Sequence, residues 1–134
     1  RYIERHATIR RMVPTGRINV STPEVTVLDL VDAPQFGGGL SNVATVIAEL
    51  LAAEMIDQTA LAAQAAHYPT AVVQRVGHLV EQMSEAAEAP VGLDSLQALV
   101  DGAQVVDLYP RVPRIGDRDH RWNVIVNIEI EPDL

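Results

Sequence analysis

Apolar residues recur in this chain at two different periods, and each period permits only one kind of backbone. In "WNVIVNIEI", residues 122–130, Trp122, Val124, Val126, Ile128 and Ile130 alternate with Asn123, Ile125, Asn127 and Glu129. That spacing of two lets a strand bury one face. In "LSNVATVIAELLAAEM", residues 40–55, Val43, Val46, Ile47, Leu50 and Leu51 fall at i, i+3, i+4, i+7 and i+8. This is a single stripe along a helix. Period-two segments lie at both ends of the chain and helical ones in between. The predicted fold class is therefore α+β: a mainly antiparallel sheet formed by N- and C-terminal strands, packed against a bundle of about five helices. At 134 residues one domain, 1–134, is expected.

The punctuation agrees with this division. Residues 2–13, "YIERHATIRRMV", are β-compatible, and "VPTGRINV" reads as a hairpin turning at Pro14, Thr15 and Gly16, with Ile18 and Val20 sharing a face. The period changes at "STPEVTVLDLV". Ser21 and Glu24 have the spacing of a capping box, and Pro23 stands in the first turn, where its missing N–H costs nothing. A helix over 21–33, stopping before Pro34, follows.

Asp57 is the expected cap of a third helix over 58–68, and Pro69 or Thr70 opens a fourth. In the fourth, Val72, Val73, Val76, Leu79, Val80 and Met83 face inward, while Gln74, Arg75, His78 and Glu81 face out. Gly77 at its middle costs up to about 1 kcal/mol relative to alanine and is expected to mark a close helix crossing. A short fifth helix spans 94–100 and ends at Gly102. "QVVDLYP" reads as a short strand and "RVPRIGDRDHR" as a loop.

Composition removes several chemistries. There is no cysteine, hence no disulfide, thiolate nucleophile or Cys-ligated zinc. All ten basic residues are arginine, which removes the P-loop lysine, the Schiff-base lysine and the Ser-x-x-Lys pair. "QFGGGLSN" is rich in glycine, but it follows a helix and reads as a connection rather than a phosphate cradle. Glu49 interrupts the longest apolar run, so no membrane span is expected, and cytoplasm is the default compartment. Arg1 opens directly onto a strand-like segment, as expected of a fragment of a longer protein.

The net charge of −8 is unevenly spread. Residues 1–20 carry five arginines against Glu4, residues 21–107 carry twelve acids against Arg75, and residues 108–121 carry four arginines against Asp117 and Asp119. If the two basic segments are strands that pair, one basic face results. Arg10, Arg11 and Arg17 flank the hairpin, and Arg111, Arg114, Arg118 and Arg121 flank the last strand. Such clusters contact nucleic-acid phosphates or acidic partners, or else protect a solvated sheet edge.

Catalytic candidates are few. "GDRDHRW" gathers Asp117, Asp119 and His120, which could serve a phosphoryl- or nucleotide-handling site, though the spacing fits neither an EF-hand nor a zincin. His67 and His78 have no helical i+4 partner and read as surface or packing residues. None of the serines, Ser21, Ser41, Ser84 and Ser95, lies in a nucleophile elbow, and neither a cofactor nor a metal is expected.

In order along the chain, "TGRINVSTPEVTVLDLV", "GGLSNVATVIAELL", "AVVQRVGHLVE" and "RWNVIVNIEIEPDL" resemble the C-terminal domain of AbiEi-type antitoxins, the transcriptional-regulator partners of type IV abortive-infection toxin–antitoxin systems. The resemblance implies a non-enzymatic role and a winged helix-turn-helix domain, N-terminal to this one, that binds operator DNA. It also implies a functional partner, an AbiEii-like nucleotidyltransferase toxin, often countered without a stable complex. It carries no catalytic residues onto this chain. "STPEVTVLDLV" then becomes the point where β structure hands over to helices, with Val25, Leu28 and Val31 toward the core.

Overall fold

The computed structural model describes residues 8–13 and 16–133, with side chains from Thr22 onward. In these residues a hairpin, β1 (Thr8–Val13) and β2 (Gly16–Ser21), leads into α1 (Pro23–Asp32). A 3₁₀ turn at Pro34–Gly37 connects to α2 (Leu40–Ala52), followed by α3 (Gln58–Ala65), α4 (Thr70–Ala86) and α5 (Asp94–Ala98). Three short strands close the chain: β3 (Val106–Asp107), β4 (Asp117–Asp119) and β5 (Val124–Val126).

The protein is α+β with five helices among the described residues, as the periods imply. α4 lies at its centre, packed on α1, α2, α5 and β5. Val27, Leu28 and Val31 of α1 and Val43, Ile47 and Leu51 of α2 are buried in the same core as Val72, Val76 and Leu79 of α4. Val46 and Leu50 sit at its margin, while Ala44 and Ala48 lie fully inside. The buried face of α2 is thus rotated toward its alanines, which let the neighbouring helices approach.

The sheet differs from expectation. β1 and β2 form a two-stranded antiparallel ladder by themselves, and the C-terminal strands form a separate mixed sheet, ordered β3-β5-β4. β3 runs parallel to β5, Val106 opposite Val124, whereas β4 runs antiparallel to it, Asp117 opposite Val126. Period two marks a half-buried extended segment but names no partner, and here each basic segment pairs within its own end of the chain. The long strand expected over 122–130 is also shorter. Asn123 takes a positive φ of 58° before it. After it the Asn127 N–H turns back to the Ile125 carbonyl at 3.0 Å, drawing the chain out of the ladder. Beyond β5 the tail runs along α2, with Glu131 N–H on Ser41 Oγ and Asp133 N–H on Thr45 Oγ1.

The cap of α1 is Thr22, whose Oγ1 accepts the Val25 N–H at 3.3 Å. The expected cap on Ser21 is therefore displaced by one residue, and the expected capping box with Glu24 does not form, because Val25 occupies the third helical position. Glu24, only 6% exposed, instead accepts the Asp57 N–H at 2.9 Å, tying the first turn of α1 to the start of α3. Asp57 caps α3 as expected, accepting from Thr59 and Ala60.

α4 corrects two further expectations. Gln74 and His78 are buried, at 1% and 5% exposure, because the C-terminal segment covers that side of the helix. Gly77 marks no helix crossing: the indole of Trp122, fully buried, lies against it, so that a Cβ there would fall inside the ring's van der Waals envelope.

Two measurements check these contacts. Gly77→Ala should destabilise the protein by about 1–3 kcal/mol through overpacking, although alanine is about 1 kcal/mol the better helix former; chemical denaturation giving equal stability would show that the ring is not seated there. Thr22→Ala should cost about 0.5–2 kcal/mol as a lost cap. A thermal melt in which Ser21→Ala is the more damaging of the two would return the cap to Ser21.

Candidate functional site

The candidate basic residues fall into two separate groups. In the hairpin the register sets Arg10 opposite Asn19, Arg11 opposite Ile18 and Arg17 opposite Met12. The C-terminal arginines belong to the mixed sheet and its loops, and three of the four are engaged within the protein. The Arg114 Nε donates to Asp107 Oδ1 at 2.6 Å. Arg118 Nε donates to Asn123 Oδ1 at 2.8 Å. Arg121 is the most committed: it pairs with Glu81, reaches Asp94 at 3.4 Å, donates to Gln97 Oε1 at 2.8 Å and stacks 5.3 Å from the centre of the Trp122 ring. Arg111 is exposed and has no side-chain partner among the described residues.

Arg75, the lone basic residue of the acidic middle, donates from Nε to the Asp107 carbonyl at 2.7 Å. Burial lowers its affinity for the proton, while the charges of Asp107 and then Asp32 act in the opposite direction. This guanidinium links α4 to β3.

The polar turn does not converge as a three-residue set. Asp117 and Asp119 line one cleft, whereas His120 lines another, beside Arg121 and Asn123. Among the described residues no group of three or more His, Asp or Glu side chains could hold a metal ion. Asp119 has a different partner. Its Oδ2 lies 2.6 Å from Nδ1 of His78, and its Oδ1 accepts the Arg121 N–H at 3.1 Å.

His78 is thus the residue that sequence reasoning misplaced on the surface. The available signal was the stripe Gln74, His78 and Glu81 at i, i+4 and i+7, all of which meet the C-terminal segment. Gln74 Nε2 donates to the carbonyls of Gln104, Trp122 and Asn123 at 2.8–3.3 Å. Glu81 accepts from the Trp122 indole at 3.1 Å. A polar stripe beside a mid-helix glycine marked a second packing surface rather than solvent.

His78→Phe should cost about 1–3 kcal/mol, since the carboxylate of Asp119 loses its partner at a largely buried position. His120→Ala, on an exposed side chain, should stay within about 0.5 kcal/mol. Divalent cations are expected to leave the melting temperature unchanged. A saturable stabilisation by magnesium, manganese or zinc that Asp119→Asn abolishes would turn this region into a metal site.

No curated protein and no solved structure matches the chain. No helix among the described residues is long and apolar enough to cross a membrane. A family model described as the AbiEi antitoxin C-terminal domain matches residues 3–82, a stretch that holds Arg10, Arg11, Arg17 and His78 but stops before Asp119, the C-terminal arginines and the "RWNVIVNIEIEPDL" ending. Because the match takes in more than half of the sequence, the chain belongs to the AbiEi antitoxin C-terminal domain family.

Proposed function

We propose that this domain acts as a non-enzymatic antitoxin in the bacterial cytoplasm, counteracting a nucleotidyltransferase-like toxin encoded beside it and supporting repression of its own operon. The observation that carries the reading is the family match over residues 3–82. Operator recognition belongs, in this reading, to a winged helix-turn-helix domain in the full-length regulator. The domain described above adds a basic auxiliary surface to it.

Arg114 and Arg121 already face carboxylates of this protein, so a phosphate would have to compete with them. Arg111 stays available, and Arg118 adds its outer guanidinium nitrogens. The acidic middle of the chain opposes binding by this domain alone, which keeps its intrinsic affinity for DNA low.

The experiment uses the full-length regulator and a variant with Arg10, Arg11 and Arg17 changed to glutamine. Each phosphate neutralised contributes about 0.9 to the slope of log affinity against log salt, so the variant should flatten that slope by up to about three units. Sequence preference should be kept, because phosphate contacts position and base contacts specify. Alongside, co-expression with the neighbouring nucleotidyltransferase-like reading frame should restore growth. Failure of the parent protein to restore growth would remove the antitoxin reading, and an unchanged slope with unchanged rescue would reduce the arginines to a solvated edge.

A further inference from the structure

A cleft of about 540 Å³ lies between α4 and the segment that includes and follows β5, with β4 at its side. This is within the range of about 300–1,000 Å³ typical of ligand sites. Its apolar lining comes from Leu79 and Met83 on one side and Val126, Ile128 and Ile130 on the other. Around these stand four carboxylates, Glu81, Asp117, Asp119 and Glu129, against one guanidinium, that of Arg118.

The carboxylates are not equivalent. Glu81 is taken up by Arg121 and Trp122, and Asp119 by His78. Asp117 and Glu129 are exposed and have no side-chain partner among the described residues. Arg118 turns its Nε to Asn123.

His78 accounts for Asp119. Its ring lines the cleft and is buried, and its Nδ1 lies 2.6 Å from Asp119 Oδ2, so that carboxylate is already partnered within the protein. The charges left open to a ligand are those of Asp117 and Glu129, beside the apolar lining. What the cleft asks for is therefore a donor-rich cation on an apolar stem, the description of an arginine or lysine side chain.

The wall itself indicates that the cation is carried on a polypeptide. Among the described residues no backbone hydrogen bond involves Ile128, Glu129 or Ile130, which follow β5 with the strand-like alternation of the sequence. Their N–H and C=O groups are available to a second, extended backbone, as in recognition by strand addition. A small free cation would leave both these groups and the apolar lining uncovered.

We infer that this cleft binds an extended, arginine- or lysine-bearing segment of a partner protein, with the cationic side chain directed to Asp117 and Glu129. The inference stands on the cleft and does not depend on the antitoxin reading.

The test is a titration of the isotope-labelled chain with the peptide acetyl-Arg-Leu-Arg-Leu-Arg-amide, followed by NMR, with its citrulline analogue and free arginine as comparisons. The expected result is saturable shifts confined to cleft residues and the Trp122 indole. The citrulline peptide and free arginine should give much weaker effects. The double variant Asp117→Asn, Glu129→Gln changes only exposed positions and should weaken binding by about fivefold, the equivalent of two exposed charge pairs. Lack of saturation, or shifts spread over the acidic surface and indifferent to the double variant, would overturn the site. Free arginine binding as tightly as the peptide would overturn the protein partner in favour of a small cation. Self-association by sedimentation that the double variant abolishes would replace the partner with a second copy of this chain.

Discussion

The fold turns on how α4 receives the C-terminal segment. The Gln74 side chain, all but inaccessible to water, satisfies the carbonyls of Gln104, Trp122 and Asn123. One turn further along, the missing side chain of Gly77 makes room for the Trp122 ring. A buried amide is tolerated only when its hydrogen bonds are made, and a buried indole only where its N–H finds an acceptor, here Glu81. These contacts also hold Asn123 in its left-handed conformation, with its Nδ2 on the Ala103 carbonyl and its own carbonyl receiving the Val106 N–H. β3 and β5 are thereby brought together in parallel.

That arrangement also settles the electrostatics. A segment rich in arginine is laid across an acidic helical body, and much of its charge is used on the way: Arg121 on Glu81 and Asp94, Arg114 on Asp107. Exposed pairs of this kind contribute little stability each. Their larger effect falls on the surface: even with these pairs made, the cleft beside α4 keeps more carboxylates than guanidinium groups.

The family match ends at residue 82, inside α4. Gln74, Gly77, His78 and Glu81 lie within it, while their partners Trp122, Asp119 and Arg121 lie beyond. Each principal contact of α4 with the C-terminal segment thus has one half inside the matched stretch and the other half outside. The antitoxin family match takes in α1 to α3 and most of α4. The cleft is a property of that stretch together with the segment added to it.

Local chemistry determined a good deal in advance. The helices at α2, α4 and α5, the Asp57 cap, the pairing of β1 with β2 and the handover from strand to helix near Ser21 were all legible, because side-chain period, capping and the restrictions of proline and glycine act within a few residues; the expected turn at Pro14 and Thr15 lies outside the described residues. Tertiary structure decided what such signals leave open. It chose Thr22 over its neighbour as the cap, sent Glu24 to the start of α3, kept the two basic ends in separate sheets and ended the last strand at Val126. It also took His78 from an assumed surface to a buried pair with Asp119, forty-one residues away in sequence. Period tells which residues share a face, but which face is covered, and by what, depends on contacts between distant segments whose free energy no local stretch contains.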